Sequence, residues 1–374
     1  MVERFLNFFH REWEGLHEVA ILLAVSALAS QLLGLWRDRL LAGRFGASQE
    51  LDIYYAAFRV PDLLYVSLAS FISVTVVLPF IIGPLTRGDR ETAERLLGGL
   101  LSCFLITMAV VASLVFFILP YLQPLIVPGF SGAAQSQLTI LTRILLFSPL
   151  LLGLSNLLAN VTQAYRQFLL YALCPILYNL GIIIGLWFFE PRFGLSGLVI
   201  GVVLGAFLHL AIQLPAIVRN RFHFRLPTKP VWQEVKRVIL ISLPRTLTLS
   251  TNQLTLMTLV AIGSLMSVGS IAVFTFAYNL QSVPLAIIGV SYSAATFPTL
   301  VRHHISGQRE KFIEQVTQAV RHILFWSLPA TALFIVLRAQ VVRTILGSGR
   351  FDWSDTRLTA ASLAIFIFSL VAQS

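Results

Sequence analysis

The sequence predicts an all-α polytopic membrane protein, and composition and apolar run length are the observations that predict it. Hydrophobic residues make up 57% of the 374-residue chain and charged residues 12%, whereas a soluble domain carries about 25% charged residues. The mean hydropathy is +0.82. Apolar runs of roughly 17 to 30 residues recur along the chain, and a helix of about 20 residues crosses a bilayer. The bilayer is therefore the expected solvent for most side chains.

Helices are favoured over a closed barrel, the two structures that satisfy the backbone in hydrocarbon. The runs hold consecutive Leu, Ile and Val, as in 100–119, whereas barrel strands alternate apolar and polar residues over about ten positions. We read ten candidate spans from these runs: 19–36, 51–83, 96–119, 138–159, 169–189, 195–218, 238–263, 269–298, 320–346 and 358–374.

The Lys and Arg residues predict the orientation, because cytoplasmic loops carry their excess. The loops after the second, sixth and eighth spans are basic, whereas 121–137 and 264–270 hold no Lys or Arg. We therefore expect a cytoplasmic N-terminus. Arg37, Arg39 and Arg44 and the group from Arg338 to Arg357 fall on the other side, as exceptions that are either tolerated or retained for a purpose. The first eighteen residues mix acidic and basic side chains without a cleavage pattern, which argues against a removable signal peptide.

The densest basic stretch, 219–237, also contains Pro227 and Pro230. We take it as a cytoplasmic linker between an N-terminal lobe over 1–218 and an incomplete C-terminal lobe over 238–374. A shift of 219 residues aligns Asp52–Phe80 with Ile271–Thr299, and both stretches are long and aromatic near their start. This weak match suggests parallel six-helix repeats, as many transporters have.

Sequence signatures of an ATPase phosphate loop, a zinc protease or a serine hydrolase are not found, so we expect a transporter and not an enzyme. Cys103 and Cys174 lie in apolar runs and suggest neither a disulfide nor a metal site, and no cofactor is expected. The net charge of +10 is spread over short loops, which favours membrane topology and contact with membrane lipids over nucleic-acid binding.

Three arginines stand inside apolar runs: Arg59, Arg143 and Arg245. Each costs about 2.5–3.5 kcal/mol at a helix centre unless a partner or water relieves it. Arg143 has the alternative of snorkelling to the interface, and Arg59 that of an ion pair with Asp62 one turn on. Arg245 follows Pro244 and precedes a run of Thr, Ser, Asn and Gln, which favours the wall of an aqueous cavity over Ser/Thr helix packing.

Several segments in order along the chain resemble the lipid II flippases of the MurJ/MviN type, which are part of the multidrug/oligosaccharidyl-lipid/polysaccharide exporter superfamily. The matching segments are Ser30–Asp38, Phe45–Ala47, Leu51–Leu64, Val127–Phe130, Leu243–Leu247 with Asn252 and Gln253, Asn279–Pro284, Gly289–Val290 and Phe297–Leu300.

The resemblance implies a fourteen-helix fold with two pseudo-repeated six-helix lobes around a central cationic cavity, which moves lipid II outward for peptidoglycan synthesis. About four helices would then follow Ser374. By matching position, Arg37, Asp38, Asp52, Arg59 and Arg245 carry over as substrate-binding or gating residues. By the same resemblance, charges typical of the family are replaced here by the neutral residues Gln31, Tyr65, Ser70, Tyr278 and Asn279.

Two other functions remain open. The first is export of another polyprenyl-diphosphate-linked sugar or of small cationic drugs, although carboxylates would suit a drug cavity better than Arg59 and Arg245. The second is a non-transporting membrane scaffold derived from a flippase, which the lost charges keep in view.

Overall fold

The computed structural model describes residues 16–374, and the regular secondary structure of this part is all helical. The interpretation that no signal peptide is present concerns mainly residues 1–15, which lie outside the described part. The helices are α1 Leu16–Phe45, α2 Gln49–Ala57, α3 Arg59–Ala69, α4 Val74–Thr86, α5 Arg90–Ile126, α6 Gly132–Leu145, α7 Phe147–Ala164, α8 Phe168–Ile184, α9 Glu190–Phe193, α10 Leu195–Ala211, α11 Leu214–Arg219, α12 Lys229–Ser264, α13 Ser270–Leu285, α14 Ser291–Ile305, α15 Arg309–Val336, α16 Arg338–Leu346, α17 Trp353–Phe366 and α18 Phe368–Gln373.

Nine stretches of the described residues are long and apolar enough to cross a membrane. They confirm an all-α polytopic membrane fold. These stretches are Glu18–Phe45, Gln49–Thr86, Arg90–Ile126, Gly132–Ala164, Phe168–Phe193, Leu195–Arg219, Ser270–Ile305, Arg309–Val336 and Trp353–Gln373.

Two predicted spans differ from these stretches. The stretch 238–263 lies within the continuous helix α12, but it is not among the nine because its polar residues make it less apolar than they are. The predicted span 320–346 is wrong at its end, because α15 stops at Val336 and a separate helix begins at Arg338. The 28 residues of α15 already extend about 42 Å, which exceeds the roughly 30 Å of a hydrocarbon core.

The chain divides into two packing units. Unit 1 holds the described residues up to Arg37 together with Ile53–Ser267, and unit 2 holds Asp38–Asp52 and Val268–Ser374. These units group α12 with the first part of the chain, whereas the predicted lobes place 238–374 together. The division into two lobes of six helices stays a prediction.

Close backbone contact joins α8 to α10 within unit 1. A Cβ added to Gly181 would lie 2.2 Å from the Cα of Gly205, and one added to Gly185 would lie 2.4 Å from the Cα of Gly201. The glycines are four residues apart on each helix, so they form the small-residue faces that allow transmembrane helices to pack without intervening side chains.

The linker 220–228 packs against the start of α5 through one buried carboxylate. Glu94 is 2% exposed and accepts from the Nε of Arg90 at 2.9 Å and that of Arg225 at 3.0 Å. The backbone N–H of His223 donates to the same carboxylate. Burying Glu94 is tolerated because these donors satisfy its charge. The basic linker is thus anchored to unit 1.

In unit 2, Asp52 caps a helix that lies far along the chain. Its carboxylate is 3% exposed and accepts from the backbone N–H groups of Gly269 at 2.6 Å and Ala272 at 2.8 Å. These groups belong to the cap and first turn of α13, which have no intrahelical acceptors. An anionic side chain at this end also interacts favourably with the helix dipole.

We expect Asp52→Ala to lower the free energy of unfolding by about 2 kcal/mol or more, because two buried N–H groups lose their acceptor. Asp52→Asn keeps one acceptor oxygen and should lose less. Thermal unfolding of the purified protein in detergent measures both changes. Glu50→Ala is the matched control, since Glu50 is an exposed carboxylate two residues earlier. An Asp52→Ala protein that unfolds at the parental temperature would contradict the capping role.

Candidate functional site

A cluster of polar side chains lies inside unit 1, where most neighbours are apolar. Its first member, Arg37 near the end of α1, donates from Nη1 to the Oδ1 of Asn179 on α8 at 2.9 Å. The Nδ2 of Asn179 donates in turn to the Pro175 carbonyl at 3.1 Å. Tyr178 interacts electrostatically with Arg37 and Asp62 and hydrogen-bonds Ser148. Arg37 is therefore held in place by α8 and is only half-buried.

Arg59 and Asp62 bring the second half of the cluster from α3. A break between α2 and α3 at Phe58 places Arg59 at the start of the new helix, and Pro61 lies in its first turn, where a missing N–H is tolerated. The Nε of Arg59 donates to the Tyr55 carbonyl at 3.3 Å. Arg59 also interacts electrostatically with Asp62, which supports the predicted pairing of the two charges.

Tyr65 extends the cluster by one turn of α3. Its hydroxyl accepts from the Nδ2 of Asn156 on α7 at 2.8 Å, and it interacts electrostatically with Asp62 and Tyr178. Arg37 and Arg59 thus flank the same small group of hydroxyl, amide and carboxylate groups. Two guanidinium groups and one carboxylate carry a net positive charge here, which suits an anionic ligand.

Arg245 makes its contacts elsewhere in unit 1. Its Nη1 donates to Thr75 on α4 and to the Oγ of Ser73 at 3.5 Å. Beside it, α12 packs on the end of α3 through hydroxyl groups. Ser67 of α3 pairs with Ser250 at 2.9 Å, and Ser70, directly after α3, pairs with Thr246. The Ser/Thr packing weighed against an aqueous wall is thus present on one side of α12.

The opposite side of α12 is polar and exposed. Arg245, Thr248, Asn252 and Thr255 lie at helical spacing and are all exposed. The hydroxyls of Thr248 and Thr255 donate to carbonyl groups four residues earlier, so their hydrogen bonds are satisfied without water. The helix α12 therefore has one face that packs through hydroxyl groups and an opposite, exposed polar stripe that ends at Arg245.

The structure brings together two of the five predicted site residues, Arg37 and Arg59. Asp38 and Asp52 lie in unit 2, where Asp38 is 2% exposed and accepts from the Nδ2 of Asn279 at 2.9 Å. Asp52 is the cap of α13 described above. Whether any of the five binds substrate or forms a gate stays a prediction.

Sequence reasoning missed Asn156, Tyr178 and Asn179, which complete the cluster. Their signal was available, because an amide inside an apolar run has the same need of a partner as a charge. Among the described residues, no group of three or more His, Cys, Asp or Glu is placed to hold a metal ion.

Comparisons with known proteins place this architecture in a family. The family model described as "Lipid II flippase MurJ" matches residues 41–374. A probable lipid II flippase MurJ of Borreliella burgdorferi is 23% identical over 360 residues, which cover 95% of this chain and 70% of that protein.

Two solved structures share the fold. The inward closed conformation of a lipid II flippase MurJ has a TM-score of 0.80 at 23% identity and covers 94% of this chain and 73% of that one. An inward-facing multidrug resistance MATE family transporter of the MOP superfamily has a TM-score of 0.73 at 17% identity and covers 91% of this chain and 79% of that one. Since the family model spans most of the sequence, the chain belongs to the lipid II flippase MurJ family.

Proposed function

We propose that the chain is a lipid II flippase, a transporter that carries the lipid-linked peptidoglycan precursor from the inner to the outer face of the cytoplasmic membrane. Family membership supports the function, and one structural observation carries the mechanism. This observation is the pair Arg37 and Arg59, both partly buried and grouped around Asp62 and Tyr178. A cationic site at membrane depth is costly and serves an anionic head group.

The diphosphate of lipid II is the group that two arginines suit best. A guanidinium offers paired donors in a fixed plane, which match two oxygens of one phosphate, and it stays charged at every physiological pH. Asp62 balances part of this charge in the empty protein. An entering diphosphate then replaces the carboxylate as partner of Arg59, while the apolar tail stays in the bilayer.

The exposed stripe of α12 provides a second element of the proposal. Arg245 lies at one end of it, with Thr248, Asn252 and Thr255 following. The threonine hydroxyls are already hydrogen-bonded to carbonyl groups of their own helix. The stripe is therefore stable without a ligand and offers the head group only weak contacts. Such a surface allows a sugar to move along it, and the charge of Arg245 favours transient binding of the anionic head group at that point.

Another polyprenyl-diphosphate-linked sugar is the second candidate substrate, and the neutral residues at positions where the family carries charge favour it. Tyr65 binds Asn156, Ser70 binds Thr246 and Asn279 binds Asp38. A substrate with fewer charged groups would need fewer charged contacts. Growth of cells depleted of their own lipid II flippase and supplied with the full gene tests this, since only lipid II transport restores growth.

We expect the N-terminus and the linker 219–237 on the cytoplasmic side and the segment Val127–Ser131 outside, because Lys and Arg gather in cytoplasmic loops. Ser131→Cys should react with a membrane-impermeant thiol reagent in intact cells, whereas Ser306→Cys should react only after permeabilisation. Both serines are exposed. The reversed pattern would overturn the orientation.

Arg59→Lys should reduce lipid II transport about tenfold or more, because lysine keeps the charge but loses the paired donors, and one hydrogen bond to a charged group contributes about 1.5–3 kcal/mol. Lipid II that reaches the outer face, measured at equal protein level, gives the rate. Arg309→Lys is the control, since Arg309 is exposed at the start of α15. Equal rates for the two variants would show that Arg59 acts only as the partner of Asp62.

Arg245→Leu should fail to restore growth of flippase-depleted cells, with transport lowered at least about tenfold by the loss of one charge-assisted contact. Arg237→Leu, an exposed arginine on the same helix, should restore it. Thr75→Val removes the hydroxyl that Arg245 contacts but keeps the charge, and it should also restore growth. Growth with Arg245→Leu equal to that with the parent would show that Arg245 has no part in transport.

A further inference from the structure

A groove on unit 1 lies apart from the polar cluster and from α12. It has a volume of about 500 Å³ and is formed by one side of α5 with the junction of α6 and α7. Among the described residues that line it, Arg143 is the charged one, and most of the others are apolar. Several of the apolar residues are well exposed, Phe117 at 71% and Phe147 at 61%.

Arg143 is held at this groove by a backbone carbonyl of α5 that lacks its usual hydrogen-bond donor. The carbonyl of Phe116 would normally accept from residue 120, but that residue is Pro120 and has no N–H. The Nε of Arg143 donates to this carbonyl at 3.2 Å. Its guanidinium lies over the Phe116 ring, 4.4 Å from the centroid, where a cation–π interaction is favourable.

The guanidinium retains donors beyond this contact. Only its Nε makes a hydrogen bond to the part of the protein that the structure describes, so its two terminal nitrogens remain available. A cation with unused donors beside exposed apolar surface matches a ligand that carries one anionic group and a hydrocarbon chain.

The length of the groove matches a single leaflet. Along α5 the lining runs from Leu105 to Phe117, which is about 18 Å of helix, and one leaflet of a hydrocarbon core is about 15 Å thick. The charged residues of α5 end at Arg95. Phe116 is therefore about 30 Å further along, which places Arg143 at the opposite edge of the hydrocarbon, near the head groups.

We infer that this groove binds one anionic glycerophospholipid, with an acyl chain along α5 and its phosphate on Arg143. The leaflet is the one at the Val127–Ser131 end. A phosphodiester carries one negative charge and meets one guanidinium, whereas a polyprenyl diphosphate carries more charge than this groove can balance.

Native mass spectrometry of the full chain, stripped of lipid in detergent and titrated with phosphatidylglycerol or phosphatidylcholine of identical acyl chains, tests the site. The parent should bind phosphatidylglycerol more tightly, and Arg143→Gln should remove about fivefold or more of that preference, since one arginine near anionic lipid contributes about 1 kcal/mol. Arg338→Gln is the matched control, because Arg338 is exposed and donates to the Ile335 carbonyl at 2.8 Å.

Two further variants separate binding from folding. Pro120→Ala restores the backbone donor for the Phe116 carbonyl, so Arg143→Gln in that background removes the phosphate contact without leaving that carbonyl unpaired, and it should still weaken phosphatidylglycerol binding. Ala112→Trp fills the groove and should weaken both lipids. Equal binding of the two lipids by the parent, an unchanged preference in Arg143→Gln, or displacement of the bound phosphatidylglycerol by an equimolar polyprenyl diphosphate would each overturn the proposal.

Discussion

Hydrocarbon offers no hydrogen-bond partners, so each polar group at membrane depth must be satisfied by the protein itself. Several features of this chain follow from that constraint. The Phe116 carbonyl, left without its donor by Pro120, receives one from Arg143. Threonines along α12 donate to the carbonyls of the preceding turn. The free N–H groups at the start of α13 find Asp52. In these three cases a polar group in an apolar segment lies beside the group that satisfies it.

The same constraint applies to the neutral residues at positions where the family resemblance implies charge. Asn279 still donates to the buried Asp38 carboxylate, and Tyr65 still binds a polar partner on α7. An amide provides a donor for Asp38 but does not balance its charge, so the hydrogen bond is kept without an ion pair.

Sequence reasoning predicted the helices well because apolar run length directly reflects bilayer thickness. It failed at the end of α15, because the predicted span was extended past Arg338 and Arg343 to residue 346 although the helix already spans the core by Val336. Contacts between distant residues were beyond it. The role of Asp52 as the cap of α13 joins positions 217 residues apart, and no local pattern indicates that a carboxylate will meet those N–H groups.

The candidate site also depends on contacts between residues that are far apart in the sequence. Arg59 and Asp62 could be paired from the sequence because one helical turn separates them, whereas Arg37 lies far from them in the sequence and contacts Asn179 and Tyr178 on α8. Asn179 accepts a hydrogen bond from Arg37, and Asp62 interacts electrostatically with Arg59. Under the proposed function, an entering phosphate competes with Asp62 for Arg59, so the one pairing that the local sequence predicts is also the contact that substrate binding has to replace.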